Sequence, residues 1–265
     1  MHRVEPQVYV IGETTVDGTG LHGYLEHIGA TGWESDAATG VEEVVEVMGR
    51  GCYKSFAVGL NPNVTRVRSS NADHLHNLVK QQHGSVLEHG WVSLQLCDVS
   101  RVVTHELVRH RAGVAISQES LRYVRLEDLG MWLPSCYANN PAAVKVFTEH
   151  WQACEQAYKQ LIDAAAEQEH SAFDDLPFEV KKAYTSAARR VAPEGLATNI
   201  GWSANLRALR HIIEMRTDPS AEEEIRLLFS KIAGVVIPRY PAVFADYQVT
   251  AVNGINHYHT THRKI

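Results

Sequence analysis

No apolar run in the 265 residues approaches the roughly 18 that a membrane-crossing helix needs, so no membrane partner is expected. The opening stretch, MHRVEPQVYVIGETT, has none of the apolar region of a secretory signal. Cysteine is sparse: Cys52, Cys97, Cys136 and Cys154 are widely spaced and form no C-x-x-C pair. That pattern excludes a zinc ribbon and a disulfide framework, and it suits reduced thiols in the cytoplasm. Positive charge in excess is missing too, since 25 Lys and Arg face 31 Asp and Glu for a formal net charge of −6. A surface of that sign does not attract nucleic acid as a whole. Internal repeats and low-complexity linkers are also absent.

What remains is ordinary globular composition, 45% hydrophobic and 21% charged, enough for a sizeable core. The length is near the upper limit for one core, so a single domain over 1–265 is expected, with a loose polar tail after residue 250. Basic residues bunch over 101–125 and 189–216. A locally basic cleft on an acidic chain suits a small anionic ligand.

Periodicity predicts a strand at Val8–Ile11, then a Gly-rich polar region through Gly40. Helical spacing follows over 41–56 and 71–84, then strand alternation over 91–99. Ser100 can cap a helix running through Arg109. After a Gly-containing break, residues 116–129 read as loop and short strand. The clearest helix spans 141–169, where Phe147, Trp151, Cys154, Tyr158, Leu161, Ile162 and Ala165 recur at three- and four-residue steps. Another covers 175–191, and 198–216 reads as a strand turning into a helix. Further helices are expected over 220–235 and 239–247. The fold class is therefore mixed α/β, with helices flanking an antiparallel-rich sheet.

The chemistry concentrates in THELVRHRAGVAISQESLRYVR (104–125). Arg109, His110 and Arg111 crowd two cations and an imidazole at a helix C-terminus, where the helix dipole favours cations by about 0.3–1 kcal/mol. A solvated basic helix end would look the same. Ser117, Gln118, Ser120, Arg122 and Tyr123 add hydroxyl, amide and guanidinium groups suited to phosphate and pyrimidine edges. On the helix after Ser203, at about 100° per residue, Asn205 and Arg216 share a stripe with Leu209, Ile212 and Ile213. A guanidinium on an apolar stripe needs a partner, because burying an unpaired charge costs several kcal/mol.

RHR, a short spacer and S-Q-x-S-x-R-Y together resemble the signature of the flavin-dependent (alternative) thymidylate synthases, the thymidylate synthase-complementing fold. HGSVLEH (83–89), HELVRHR (105–111), ARRVAPEGLATNIGWSANLRALRHIIEMR (188–216) and PAVFADY (241–247) extend the likeness over about 45–247. The resemblance implies FAD as cofactor and NADPH and methylenetetrahydrofolate as co-substrates. It implies methylation of the uracil 5-carbon of dUMP, or of UMP as the alternative, by a homotetramer. Implied flavin contacts are His83, Ser85, Arg109, His110, Arg111, Gln118, Asn205, Arg207 and His211. The implied nucleotide side comprises Glu106, Arg109, Gln118, Glu119, Ser120, Leu121, Arg122, Arg189 and Arg216. Arg216 carries the implied catalytic role, stabilising uracil ionised at its ring nitrogen. Ser120 has no activating base nearby in sequence and is assigned binding. One departure stands out: the spacer between Arg111 and Ser120 is one residue longer than in the best-known members, and Ser117-Gln118 replaces Asn-Glu.

Three rivals lack support. His105-Glu106 with His110 imitates HExxH, but five-residue spacing turns the second histidine about 140° from the first instead of about 40°, so no metal site is expected. An RNA-binding module would need an RNP, KH or zinc pattern, and none is present. A flavin-free thymidylate synthase requires a reactive cysteine, and Cys136 in PSCY has no neighbouring His or basic group to lower its pKa.

Overall fold

The computed structural model of the protein describes residues 2–126 and 128–263. In chain order it contains β1 (His2–Arg3), β2 (Gln7–Glu13), α1 (Gly18–Ile28), α2 (Gly40–Tyr53), α3 (Asn71–Lys80), a 3₁₀ turn (Gly84–His89), β3 (Trp91–Ser100), α4 (Arg101–Leu107) and β4 (Val114–Gln118). There follow β5 (Gly130–Met131), α5 (Ser135–Ala138), α6 (Pro141–Gln168), α7 (Phe178–Ala188), β6 (Ala197–Asn205), α8 (Leu206–Thr217), α9 (Glu223–Arg239), α10 (Pro241–Phe244), β7 (Gln248–Val252) and β8 (Ile255–His259). The main sheet is antiparallel, with strand order β2-β3-β6-β4. β1 and β5 form a small parallel pair, and β7 and β8 an antiparallel hairpin. The mixed α/β expectation holds. No helix among the described residues is long and apolar enough to cross a membrane.

By internal packing the chain divides into two compact units. The larger comprises the described residues of 8–95, 110–115 and 202–263. Its helices start where side chains can accept orphan backbone N–H groups. Thr39 caps α2 by accepting from the Glu42 N–H at 3.2 Å, and its hydroxyl donates to the Glu42 carboxylate at 3.4 Å. Asn205 caps α8 through the Ala208 N–H at 2.8 Å. Leu209, Ile212 and Ile213 of α8 and Ile225, Leu228, Phe229 and Ile232 of α9 are fully buried. Trp202, from the end of β6, meets Phe229 edge-on at 5.8 Å.

Three segments of this unit differ from expectation. The Gly-rich stretch contains α1, capped by Asp17 and closed by Gly29 in the left-handed region (φ 73°). The tail is not loose through residue 259. Asn253 (φ 55°) and Gly254 (φ 78°) form a two-residue turn of the hairpin type, and β8 pairs with β7 from Ile255 to His259. Tyr258 and Thr260 are buried. The segment expected to be helical to residue 247 is helical only over Pro241–Phe244. Behind it lies a buried ion pair in which the Arg210 guanidinium donates two bonds of 2.8 Å to Asp246. Burial pushes the Asp246 carboxyl up, but the bonds from Arg210 and Thr260 outweigh it and leave it below the usual carboxylate range.

The smaller unit comprises the described residues of 1–7, 96–109 and 116–201. The long α6 starts at Asn140, whose side chain caps it, with Pro141 in the first turn. Its face buries Trp151 and Tyr158 against Leu121, Leu126, Leu129, Met131 and Leu196. Gly195 is required there, because a Cβ would sit 2.8 Å from the Trp151 ring.

Candidate active site

In the larger unit the segment after the RHR turn meets the start and end of α8. Asn205 N–H donates to the Gly113 carbonyl at 2.9 Å, and Gly113 adopts φ 69°. A Cβ at Gly113 would lie 2.6 Å from the Asn205 amide nitrogen. Only glycine satisfies both the left-handed backbone and the close approach.

This approach accompanies a contact between two expected site residues. Arg216 Nε donates to His110 Nε2 at 2.7 Å. Both side chains are half-buried. Burial first, then the charge of Arg216 and the nearby His211, push the His110 imidazole down to about 4. It is therefore neutral at pH 7, accepts through Nε2 and carries its proton on Nδ1. The guanidinium on the Leu209–Ile212–Ile213 stripe thus has this imidazole as one partner.

The remaining expected residues of this unit are disposed differently. The carboxamide oxygen of Asn205 is committed to the helix cap. Arg207 is ion-paired with Glu88. Arg111 and His211 are exposed. His83 stacks on Tyr53 with centroids 5.7 Å apart, and its Nδ1 lies 3.0 Å from the Tyr53 hydroxyl. Ser85 is exposed on the 3₁₀ turn.

In the smaller unit the serine–glutamine segment runs out of β4 into a turn against β6. Gln118 is half-buried, and its Nε2 is a buried donor with no partner among the described residues. The Glu119 carboxylate accepts from Asn199 Nδ2 at 2.6 Å, while its N–H donates to the Asn199 carbonyl at 2.9 Å. Leu121 is in the core, so only its backbone can serve a ligand. Ser120 Oγ accepts from the Arg122 N–H at 3.4 Å, and Thr185 Oγ1 donates to the Arg122 carbonyl at 2.8 Å. These bonds fix the backbone while the Arg122 side chain stays exposed. Arg109 and Arg189 are exposed at the ends of α4 and α7, and Glu106 is half-buried on α4. Among the described residues no group of three or more His, Cys, Asp or Glu side chains could hold a metal ion.

Sequence reasoning missed Gly113, Glu88, Tyr53 and Asn199. Gly113 alone carried a signal, a glycine placed between two chemically rich segments. The others are paired through long-range contacts that spacing does not encode.

The model of the thymidylate synthase complementing protein family matches residues 36–242. A flavin-dependent thymidylate synthase of Mycobacterium marinum is 36% identical over 222 residues, covering 83% of this chain and 84% of that protein. The flavin-dependent thymidylate synthase of Mycobacterium tuberculosis (strain ATCC 25618 / H37Rv) matches to the same extent. Among solved structures, a UMP/dUMP methylase, PolB from Streptomyces cacaoi bound with 5-Br dUMP, superposes with a TM-score of 0.62. That match covers 92% of this chain and 95% of PolB at 16% identity, and it establishes a shared fold. Family match and curated relatives agree over most of the length: the chain belongs to the thymidylate synthase complementing protein family, that of the flavin-dependent thymidylate synthases.

Proposed function

We propose that the protein methylates the uracil 5-carbon of dUMP to give dTMP, using FAD as cofactor and NADPH and methylenetetrahydrofolate as co-substrates. The observation that carries this reading is the Arg216–His110 hydrogen bond, which joins the RHR turn to the second family block. With Nε engaged, the guanidinium plane of Arg216 is fixed. A fixed, partly desolvated cation stabilises a uracil ring ionised at nitrogen, which raises electron density at the 5-carbon. The neutral His110 holds that cation without competing for its charge.

The donor set fits a flavin dinucleotide. In the larger unit Arg111, Arg207 and His211 offer charge and N–H groups to a diphosphate, and Gly113 lets the chain pass Asn205 without a side chain between them. His83, Ser85, His110 and Asn205 of the same unit complete the set there that would hold FAD, and Arg109 and Gln118 of the smaller unit are the remaining flavin contacts that the resemblance implies. When bound, FAD supplies the redox chemistry that a polypeptide lacks. On the nucleotide side, Gln118 brings a buried donor in need of an acceptor. Ser120 and Arg122 bring a hydroxyl and an exposed cation for phosphate or sugar, and Glu106, Glu119, Arg189 and the Leu121 backbone are the other residues that the resemblance assigns to the nucleotide. The assembly is a cytoplasmic homotetramer, because one chain is small for a flavin, a nucleotide and a folate together.

A second reading keeps the chemistry and replaces dUMP with UMP. It is favoured by the lengthened segment after Arg111, which continues as strand to Gln118 and turns Glu119 onto Asn199. Purified protein loaded with FAD should bleach with NADPH under anaerobic conditions and, with methylenetetrahydrofolate added, release label from the 5-position of dUMP. A competition between dUMP and UMP separates the two readings. Protein that binds no flavin overturns both.

A further inference from the structure

Within the larger unit, the end of α2, the loop over 61–69 and one face of α3 enclose a groove of about 750 Å³. That volume is ample for a small ligand. Three cations line it, Arg66, Arg68 and Lys80, together with the imidazole of His76, against one carboxylate, Asp73. Among the described residues the side chains of Arg66, His76 and Lys80 have no ion-pair or hydrogen-bond partner. Cations left uncompensated in one groove attract a multiply charged anion.

The wall is anchored. Arg50, buried beside Glu46 with a 2.7 Å ion pair, donates to the Ser55 carbonyl at 2.9 Å and to the Arg68 carbonyl at 2.9 Å. One buried guanidinium therefore ties Ser55, just after α2, and Arg68, near the end of the loop, to α2. Arg68 also donates to Asn77 Oδ1 at 2.7 Å, which directs its fork along α3. At the other end of the groove, Tyr53 is 45% exposed and already stacked on His83. An exposed ring, braced from behind, is a platform for a flat heterocycle.

We propose that this groove binds the adenosine 2′-phosphate end of NADPH, a reading that rests on the reductant assigned under Proposed function. The purine lies over Tyr53, and the phosphomonoester dianion is held by Arg66 and Lys80, with Arg68 beside them. The residues proposed to anchor the uracil nucleotide's phosphate, Ser120 and Arg122, are in the other unit and are already allotted. The three cations here exceed what a neutral ribose requires, and the extra phosphate is what distinguishes NADPH from NADH.

The test uses flavin-loaded protein, anaerobic flavin bleaching with NADPH or NADH, and calorimetric titration with 2′,5′-ADP and 5′-ADP. Wild type should prefer NADPH to NADH by ten-fold or more in KM and bind 2′,5′-ADP more tightly than 5′-ADP. The double variant R66A/K80A should raise the KM for NADPH ten-fold or more while leaving that for NADH within two-fold. Flavin content and nucleotide KM should not change, and Arg66→Lys should retain the preference. Wild type without preference, or a double variant with unchanged NADPH saturation, overturns the proposal. So does loss of flavin content in the double variant, which would give the groove to FAD. A protein that binds no flavin instead defeats the reading under Proposed function, and the 2′,5′-ADP titration still judges the groove.

Discussion

Arg216 and His110 are joined by one hydrogen bond of 2.7 Å from Nε to Nε2, and it forms only while the imidazole is neutral. Lysine at position 216 keeps the charge but has neither an Nε–H in that place nor a planar fork. Arg216→Lys is expected to lower turnover by about 10²–10³, the usual cost of removing an electrostatic stabiliser. Flavin content should stay near wild type. Steady-state rates and the flavin-to-protein absorbance ratio check both halves, and near-normal turnover would remove Arg216 from the chemistry.

Two neutral histidines make stability depend on pH. His110 and the buried His74 are both pushed down to about 4, burial being the main cause in each. Below about pH 6.5 the unfolded chain takes up protons that the folded chain excludes. Stability is thus complete above that point and is lost as pH falls towards about 4. At pH 5 the buried His74 is expected to cost about 2 kcal/mol relative to pH 7, and the half-buried, solvent-screened His110 less. Urea denaturation at the two pH values measures the difference, and His74→Leu should remove the larger part of it.

Asp246→Ala should destabilise the protein by about 3–5 kcal/mol, because it strands the buried Arg210 guanidinium without its carboxylate. Asp246 also accepts from Thr260, so the C-terminal hairpin should loosen with it. Thermal melting together with proteolysis after residue 247 reads both effects. A change below 1 kcal/mol would show the pair to be dispensable.

The parts of the fold that were legible in the sequence are those fixed by local rules. The 141–169 helix carries its own period and an Asn-Pro start, and β6 passes into α8 through an asparagine cap that local sequence specifies. The missed hairpin was also locally encoded: Asn253-Gly254 between Val252 and Ile255 is a turn signal, obscured by the polar, histidine-rich residues that follow. α1 was hidden by Gly18, Gly20 and Gly23, which lower helix propensity, although Asp17 and Gly29 mark both ends. In the candidate site, the RHR turn and Arg216 could be named, but their contact could not. The pairing spans 106 residues and depends on Gly113 passing Asn205, which no spacing rule encodes.

Arg122 gives the sharpest separation of binding from chemistry. Its backbone is fixed on both sides, by the Thr185 hydroxyl on its carbonyl and by Ser120 Oγ on its N–H. Its side chain is exposed, with the guanidinium carbon 5.7 Å from the centre of the Tyr123 ring. Truncation to alanine removes nothing from the core, so a kinetic effect reads ligand binding rather than unfolding. A charge-assisted bond to phosphate is worth about 1.5–3 kcal/mol, so Arg122→Ala should raise the nucleotide KM ten-fold or more. Flavin bleaching by NADPH without nucleotide should stay close to wild type, since that half-reaction needs no nucleotide phosphate. If Arg122 is only a solvated surface cation, neither half-reaction changes. If flavin content falls, the side chain belongs to the flavin side. Measuring nucleotide saturation and nucleotide-free bleaching in the same preparation distinguishes the three outcomes.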